Sequence, residues 1–434
     1  MFTYYLELAL RSLRRNKVLT ALMVVAVALG IGACMTTLTV LHVLSGDPIP
    51  AKSARLFYPQ LDPQDMEGYR EGEEPPAQLT WTDGMNLLKA KRAQRQALMT
   101  GGAVPVQPTQ SDLEPFFSNA RYTSADFFAM FDAPFLYGQG WGAADDDAKA
   151  RVVVLTRKLN QKLFGGKDSR GQIVRMKDTA FRVVGVLDDW RPNPHFYDLN
   201  MGNYSDSEEV FIPLSTSRDL VLPRNGSMDC WGKGAADGEH LENATCVWMQ
   251  FWVELESSSQ VAAYKAFLEN YSREQKALGR FQRPVNVRLR NVMEWLDQQK
   301  VVPSDVRLQS WLAIGFLVVC LVNTVGLMLA KFLRRAGELG VRRALGASKL
   351  EVFKQLLVEA AVIGVAGGVL GLGLAFLGLW LVRHQPADYA SLAHLDLFML
   401  GVTFALAVGS TIAAGLLPAW RACQITPALQ LKSQ

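Results

Sequence analysis

The sequence predicts a membrane protein with four transmembrane α-helices and a large α+β extracytoplasmic (periplasmic) domain inserted between the first and the second. Three observations lead there. The 434 residues are 49% hydrophobic, yet the mean hydropathy is only +0.08, because the apolar residues are gathered into four nearly uncharged runs. Charge divides along the same lines: residues 46–305 hold 30 Lys+Arg against 35 Asp+Glu, net −5, while the remainder holds 15 against 6, net +9, within a total of +4. The basic residues of that remainder sit in short stretches beside the apolar runs, as the positive-inside rule requires of cytoplasmic loops. A charged fraction of 20% with abundant aromatics excludes general disorder. Five cysteines over this length exclude a disulfide scaffold.

At the N-terminus Phe2, Tyr5, Leu6, Ala9, Leu10 and Leu13 fall at helical spacing with arginines opposite, so residues 1–17 are expected to form an amphipathic helix on the cytoplasmic membrane surface. Residues 18–44 carry no charge, and a bilayer core takes about 20 apolar residues as a helix, so this is the first span. Signal peptides have apolar regions of about 7–15 residues, which favours an uncleaved anchor. Residues 45–305 form the inserted domain. The remaining spans are 306–330, 353–382 and 397–418, separated by loops 331–352 and 383–396 and followed by a tail, 419–434. Loop 331–352 is rich in Lys and Arg, whereas 383–396 has Arg383 against Asp388 and Asp396. Both termini and loop 331–352 are therefore expected in the cytoplasm, and the inserted domain outside, in a multi-pass protein of the cell inner membrane with lipid as its surroundings.

Small residues repeat every four positions in the spans: Ala26/Gly30 in the first, Gly364/Gly368 in the third, and Gly401, Ala405 and Gly409 in the fourth. Such spacing lets helix backbones approach closely. It serves either a bundle completed by a second subunit or the packing of one chain's four helices. Ionisable groups within the spans are few, which argues against an ion-coupled carrier. Glu359 is expected to meet a cation such as Lys354 or Arg343 near the cytoplasmic edge.

Loop 331–352 is short, basic and helix-compatible, with Gly337, Gly340 and Gly346 as breakpoints. Gly340 beside Glu338 permits a sharp turn. Ser348 is placed to N-cap the helix into the third span, with Glu351 as its capping-box partner. The run RRAGELGVRRALGAS leading into FKQLLVEAAVIGVAGGVLG, the N-terminal LRSLRRNKVLTALMVVAVALGIGA, the terminal GLLPAWRACQITPALQL and the inserted ARVVVLTRKLNQKLFGGKDSRGQIVRMKDTAFRVVGVL together resemble the MacB/FtsX-type (type VII, mechanotransmission) ABC transporter permeases. The order of one span, a large outer domain and three further spans agrees with that family.

The resemblance implies a permease that pairs with an ABC ATPase and with a second permease copy or paralogue, and in some relatives with a periplasmic adaptor and outer-membrane channel. No nucleic acid is expected as a partner. The loop after the second span would be the coupling helix, with Arg335, Glu338, Leu339, Gly340, Arg342, Arg343 and Gly346 contacting the ATPase or shaping the contact. The first and second helices would continue outward as a stalk at both ends of the inserted domain. ATP and Mg would bind the partner subunit, with no cofactor on this chain. Two functions follow: export of a peptide, antibiotic-like compound or lipid-linked cargo, or a scaffold that passes ATPase-driven motion to a cell-wall hydrolase without transport.

No catalytic site is expected. A Walker A loop needs Gly-x4-Gly-Lys-Ser/Thr. Gly166-Lys167 is followed by Asp168, with Gln161 where the first glycine belongs, and Gly232-Lys233 is followed by Gly234. Hydrolase motifs are also absent from the sequence. Asp145-Asp146-Asp147 reads as a solvated loop, with a calcium site as the alternative.

In the inserted domain, Arg151–Leu155 reads as a strand, Thr156 as the cap of a helix to Phe164, and Ile173–Met176 with Phe181–Leu187 as a hairpin around Lys177-Asp178. Val261–Leu278 reads as a helix and Val285–Arg290 as a strand that leads into Val292–Gln299 and the stalk. The segment from Asp188 to Tyr197 is either a binding loop or a packed Ω-loop. Cys230 and Cys246 lie in an oxidising compartment and are expected to form a disulfide, contributing roughly 3 kcal/mol by chain entropy. The rival, a metal site of Cys230, His240 and Cys246, has a spacing that matches no zinc pattern.

Overall fold

The computed structural model describes residues 2–108, 113–205, 208–232, 241–387 and 389–424. The chain divides into two compact units, residues 1–45 with 302–434, and residues 46–301.

The first unit is helical. A surface helix, Phe2–Arg15, is followed by span 1, Lys17–Ser45; after the inserted unit come span 2, Ser304–Arg334, a loop helix, Ala336–Ala344, span 3, Lys349–Arg383, and span 4, Leu397–Gln424. All four spans are long and apolar enough to cross a membrane. Span 3 begins at Lys349 because Ser348 caps it: Ser348 Oγ accepts from Glu351 N at 3.2 Å and Glu351 Oε2 accepts from Ser348 N at 2.8 Å, satisfying two otherwise orphaned donors.

Glycines set how closely the spans approach. A Cβ at Gly30 would lie 2.9 Å from Leu317 Cδ1 of span 2, one at Gly371 2.9 Å from Ile31 Cγ2 of span 1, and one at Gly368 3.0 Å from Ala407 Cβ of span 4. One at Gly364 would collide with Thr411. Gly30, Gly364 and Gly368 thus pack helices of the same chain, and Ala26 is half-buried. Gly401 and Gly409 face open space, and Ala405 between them is exposed.

The second unit is α+β. Its strands are β1 (Leu56–Gln60), β2 (Arg95–Gln107), β3 (Phe116–Thr123), β4 (Phe135–Gly138), β5 (Val152–Thr156), β6 (Ile173–Met176), β7 (Thr179–Leu187), β8 (Val210–Pro213), β9 (Asp229–Cys230), β10 (Cys246–Val247), β11 (Gln250–Glu254) and β12 (Arg288–Asn291). Its helices are α1 (Trp81–Ala90), α2 (Phe127–Met130), α3 (Ala143–Asp147), α4 (Arg157–Phe164), α5 (Leu214–Asp219), α6 (Ser258–Ala277) and α7 (Val292–Gln298). One mixed sheet runs β12-β1-β11-β2-β3-β8-β5-β7-β4, with β6 beside β2 and β7. The β3–β8 and β5–β7 pairs are parallel.

Local chemistry sets the boundaries. Thr156 Oγ1 accepts from Leu159 N at 3.3 Å to start α4, and Gly165, at φ +64°, ends it. Lys177 and Asp178, at φ 44° and 62°, turn β6 into β7. Helix α6 begins before Val261 because Ser257 caps it. Strand β12 covers Arg288–Asn291 rather than Val285–Arg290, and Asn291 then caps α7 with Glu294.

Three further readings are decided by tertiary packing. The Asp145–Asp147 run is the end of α3 rather than a solvated loop, since Asp146 accepts from Ala125 N at 2.7 Å and from Trp141 Nε1 at 3.0 Å. The segment after β7 is packed inward: Trp190 stacks on Tyr197 at 5.5 Å, and His195, Phe196 and Tyr197 are buried. Buried Arg121 of β3 fastens it, donating to Asp198 at 2.6 Å and, through Nε, to Glu208 at 3.0 Å, while Tyr197 donates to Glu208 at 2.7 Å. Cys230 and Cys246 stand opposite each other in the β9–β10 pair and are disulfide-bonded. His240 lies outside the described residues. Among the described residues, no group of three His, Cys, Asp or Glu side chains is arranged to hold a metal.

Candidate functional site: the loop helix and its ionic hub

The loop between spans 2 and 3 folds as a helix because its sequence supports one on two sides. Leu339, 3% exposed, packs in a cluster with Met328, Phe332, Val352 and Leu356. Glu338 accepts from Arg335 at 3.2 Å and from Arg342 at 3.5 Å, pairs at helical spacing. These supports carry the helix through Gly337 and Gly340, so the sharp turn expected at Gly340 does not form. The chain breaks at Gly346 instead, where φ is +103°, a value glycine tolerates and other residues rarely adopt.

The two faces of this helix differ. Arg342 reaches back to Gln355 Oε1 of span 3 at 3.0 Å, and Arg343 to the Cys423 carbonyl of span 4 at 3.2 Å. Both arginines are half-buried, so they hold the helix in place rather than face outward. The outward face is apolar: Gly337, Val341, Ala344 and Leu345 share one side, with Val341 53% and Leu345 84% exposed. Burial opposes the charge of Glu338, but Arg335, Arg342 and Arg15 outweigh it and hold the carboxyl below its ordinary value.

Behind the helix lies an ionic hub. The side chains of Glu359 and Lys331 are both 0% exposed and paired. Ser12 Oγ donates to Glu359 Oε1 at 2.6 Å, and Arg335 donates to Glu359 Oε2 at 3.2 Å. Surface helix, span 2, loop helix and span 3 therefore meet at one carboxylate. The expected partners of Glu359, Lys354 and Arg343, are not its partners. Lys354 is five residues away, on another side of span 3, and exposed. Arg343 is drawn to the Cys423 carbonyl. A signal for the true partner was present in the sequence: Glu359 interrupts the third apolar run near its start and Lys331 closes the second, and a carboxylate inside such a run pairs with a cation at the same depth.

Of the coupling residues named from sequence, Leu339, Arg342 and Arg343 brace the helix, Arg335 and Glu338 link it to the hub, and Gly346 ends it. The exposure of Val341 and Leu345 has no signal in the sequence, because which side of so short a helix is covered depends on tertiary packing.

Residues 20–271 match the MacB-like periplasmic core domain family, and residues 311–427 the FtsX-like permease C-terminal family. The chain is 23% identical over 433 residues to the macrolide export ATP-binding/permease protein MacB of Azoarcus sp. (strain BH72), covering 98% of this chain and 59% of that protein. It is 25% identical over 349 residues to the pyoverdine export ATP-binding/permease protein PvdT of Pseudomonas syringae pv. tomato, covering 76% of this chain and 46% of that protein. The chain thus spans about half the length of the curated relatives it matches. Among solved structures, the periplasmic region of MacB from Actinobacillus actinomycetemcomitans aligns with 59% of this chain and 96% of that one, at 14% identity and a TM-score of 0.37. With four membrane-spanning helices, a periplasmic core domain set between the first two and a permease C-terminal region over the rest, the chain belongs to the MacB/FtsX-type family of ABC transporter permeases.

Proposed function

We propose that this chain is the permease subunit of an inner-membrane exporter, and that its loop helix is the seat of a partner ATPase. The observation that carries the reading is the apolar outward face of that helix. Leu345 at 84% exposure and Val341 at 53% project from a basic loop whose other side is fully engaged. An exposed apolar strip rimmed by polar residues is the mark of a protein or membrane contact, and the basic residues of this loop favour a contact on the cytoplasmic side. ATP and Mg belong to the partner. Motion of the loop helix passes through Arg335 and Glu359 into span 3 and, through Lys331, into span 2, which leads from the inserted domain.

In this reading the termini and loop helix face the cytoplasm, following the basic loops. The exposed Gly401, Ala405 and Gly409 face of span 4 is open to a second permease copy or paralogue. The names of the relatives, macrolide export and pyoverdine export, support export as the direction. A periplasmic adaptor and outer-membrane channel would complete the path.

The test is affinity purification from solubilised membranes of the chain and of its Leu345→Asp and Val341→Asp variants. The wild type should recover an ABC ATPase, and the variants should lose it while the chain itself accumulates normally. Equal recovery would remove the loop helix as the seat. Cargo efflux from cells then separates an exporter from a scaffold, which would bind the ATPase and move nothing.

A further inference from the structure

The inserted domain holds a cleft of about 430 Å³ between α1, α3 and α5 that the reading above does not use, within the roughly 300–1,000 Å³ common for small-ligand sites. Its apolar wall comes from α1, where Trp81, Met85 and Leu88 follow at helical spacing, with Leu214 opposite at the start of α5. The Trp81 indole is fixed from behind, stacked on fully buried Trp248 at 5.9 Å with 7° between the planes. It presents a rigid aromatic face to the cleft.

The charges at the cleft are not balanced. Lys149 and Arg151 share Asp219, at 2.9 and 2.6 Å, and Arg218 is paired with Glu242 at 2.7 Å. Two lining carboxylates remain, Asp146 and Asp147. The hydrogen bonds that Asp146 accepts come from neutral donors, the Ala125 amide and the Trp141 indole. Burial pushes its carboxyl up to about 6 despite those bonds, and the neighbouring Asp147 and Asp145 push the same way. The lining therefore combines an aromatic wall with an excess of negative charge.

We propose that this cleft binds an amphipathic organic cation, an amine whose apolar body lies against Trp81, Met85 and Leu88 and whose ammonium group meets Asp146 and Asp147. An ammonium group gains from both the carboxylates and the indole face. A neutral body of the same shape would bury the carboxylates without a counter-charge, and an anion would be repelled by them. The proposal is independent of the ATPase reading, since binding is measured on the chain alone, and failure of either leaves the other standing.

The experiment uses the full chain in lipid nanodiscs, with naphthylmethylammonium, naphthylmethanol and naphthoate as matched cationic, neutral and anionic probes. Equilibrium dialysis against empty nanodiscs corrects for lipid partitioning. The amine should bind saturably and at least about tenfold more tightly than either analogue. Asp147→Asn alters an exposed side chain and leaves the fold intact, and it should weaken amine binding several-fold; Asp146→Asn with Asp147→Asn should weaken it about tenfold, without changing the affinity for the alcohol. Trp81→Ala should weaken the amine and the alcohol alike. Equal affinities for the three probes, unchanged amine binding in the double variant, or no saturable binding beyond empty nanodiscs would each overturn the proposal.

Discussion

Arg335 and Glu359 are joined by a hydrogen bond of 3.2 Å from Nη1 to Oε2, and the same guanidinium reaches Glu338 of the loop helix at 3.2 Å through Nη2. One side chain thus links the helix between the spans to the buried carboxylate of span 3. That carboxylate also neutralises Lys331, whose side chain is 0% exposed.

Replacing Glu359 by Gln removes the charge that two cations share. Breaking a buried pair by removing one partner costs about 3–5 kcal/mol, whereas replacing both partners by uncharged groups is often near neutral. Glu359→Gln should therefore lower the thermal unfolding midpoint of the chain in nanodiscs, and Lys331→Met with Glu359→Gln should recover much of the loss. The double variant should still recover the ATPase, because the outward face of the loop helix is untouched, yet ATP hydrolysis should no longer respond to the permease. A normal response in a stable double variant would show that the hub holds the helices together without passing motion between them.

Glu208 gives the inserted domain a pH dependence of definite sign. Its carboxyl is buried, which opposes its charge, but Arg121 outweighs the burial and holds it well below the usual carboxylate range. A carboxylate depressed in the folded state adds stability that is present above its unfolded value, about 4.3, and is lost as pH falls from there through the folded value. Unfolding of the wild type, followed by tryptophan fluorescence in urea, should be insensitive to this group near about pH 7 and ease as pH falls below about 4. Glu208→Gln should cost about 3–5 kcal/mol at about pH 7 and flatten the acid dependence. If the variant kept the wild-type acid slope, the slope would belong to other carboxylates.

Much of the architecture is legible in the sequence where the determinant is local. Bilayer thickness imposes the four apolar runs, and single residues mark element ends: Thr156 and Gly165 around α4, Ser348 with Glu351 at the start of span 3. What the sequence hides is long-range pairing. Lys331 and Glu359 lie on different helices, and a linear reading offered Glu359 the nearer cations. Arg342 and Arg343 look like docking residues by charge, yet guanidinium groups reach far enough to bond back to spans 3 and 4. The loop after β7 looked equally suited to binding or packing, and the deciding residue, Arg121, lies on a distant strand. Gly340 shows the opposite error. A glycine permits a turn, but buried Leu339 and the pairs of Glu338 keep the backbone helical.

Gly364 and Gly401 carry the same signature in sequence, a small residue four positions from another, and the structure separates them. A Cβ at Gly364 would run into Thr411, with the Ala407 carbonyl 3.0 Å away, whereas one at Gly401 would meet nothing within 4 Å. Close packing tolerates little added volume, and overpacking costs about 1–3 kcal/mol. Gly364→Ala should lower the thermal midpoint of the chain by pushing spans 3 and 4 apart. Gly401→Ala should leave it unchanged or raise it slightly, since alanine is favoured over glycine within a helix by about 0.5–1 kcal/mol. Gly401→Leu and Gly409→Leu add bulk to the open face, so they should spare the single chain while lowering the dimeric fraction measured by light scattering. A dimer that survives both leucines would place the second permease against another face, and a Gly364→Ala chain as stable as wild type would mean that spans 3 and 4 can repack around a methyl group.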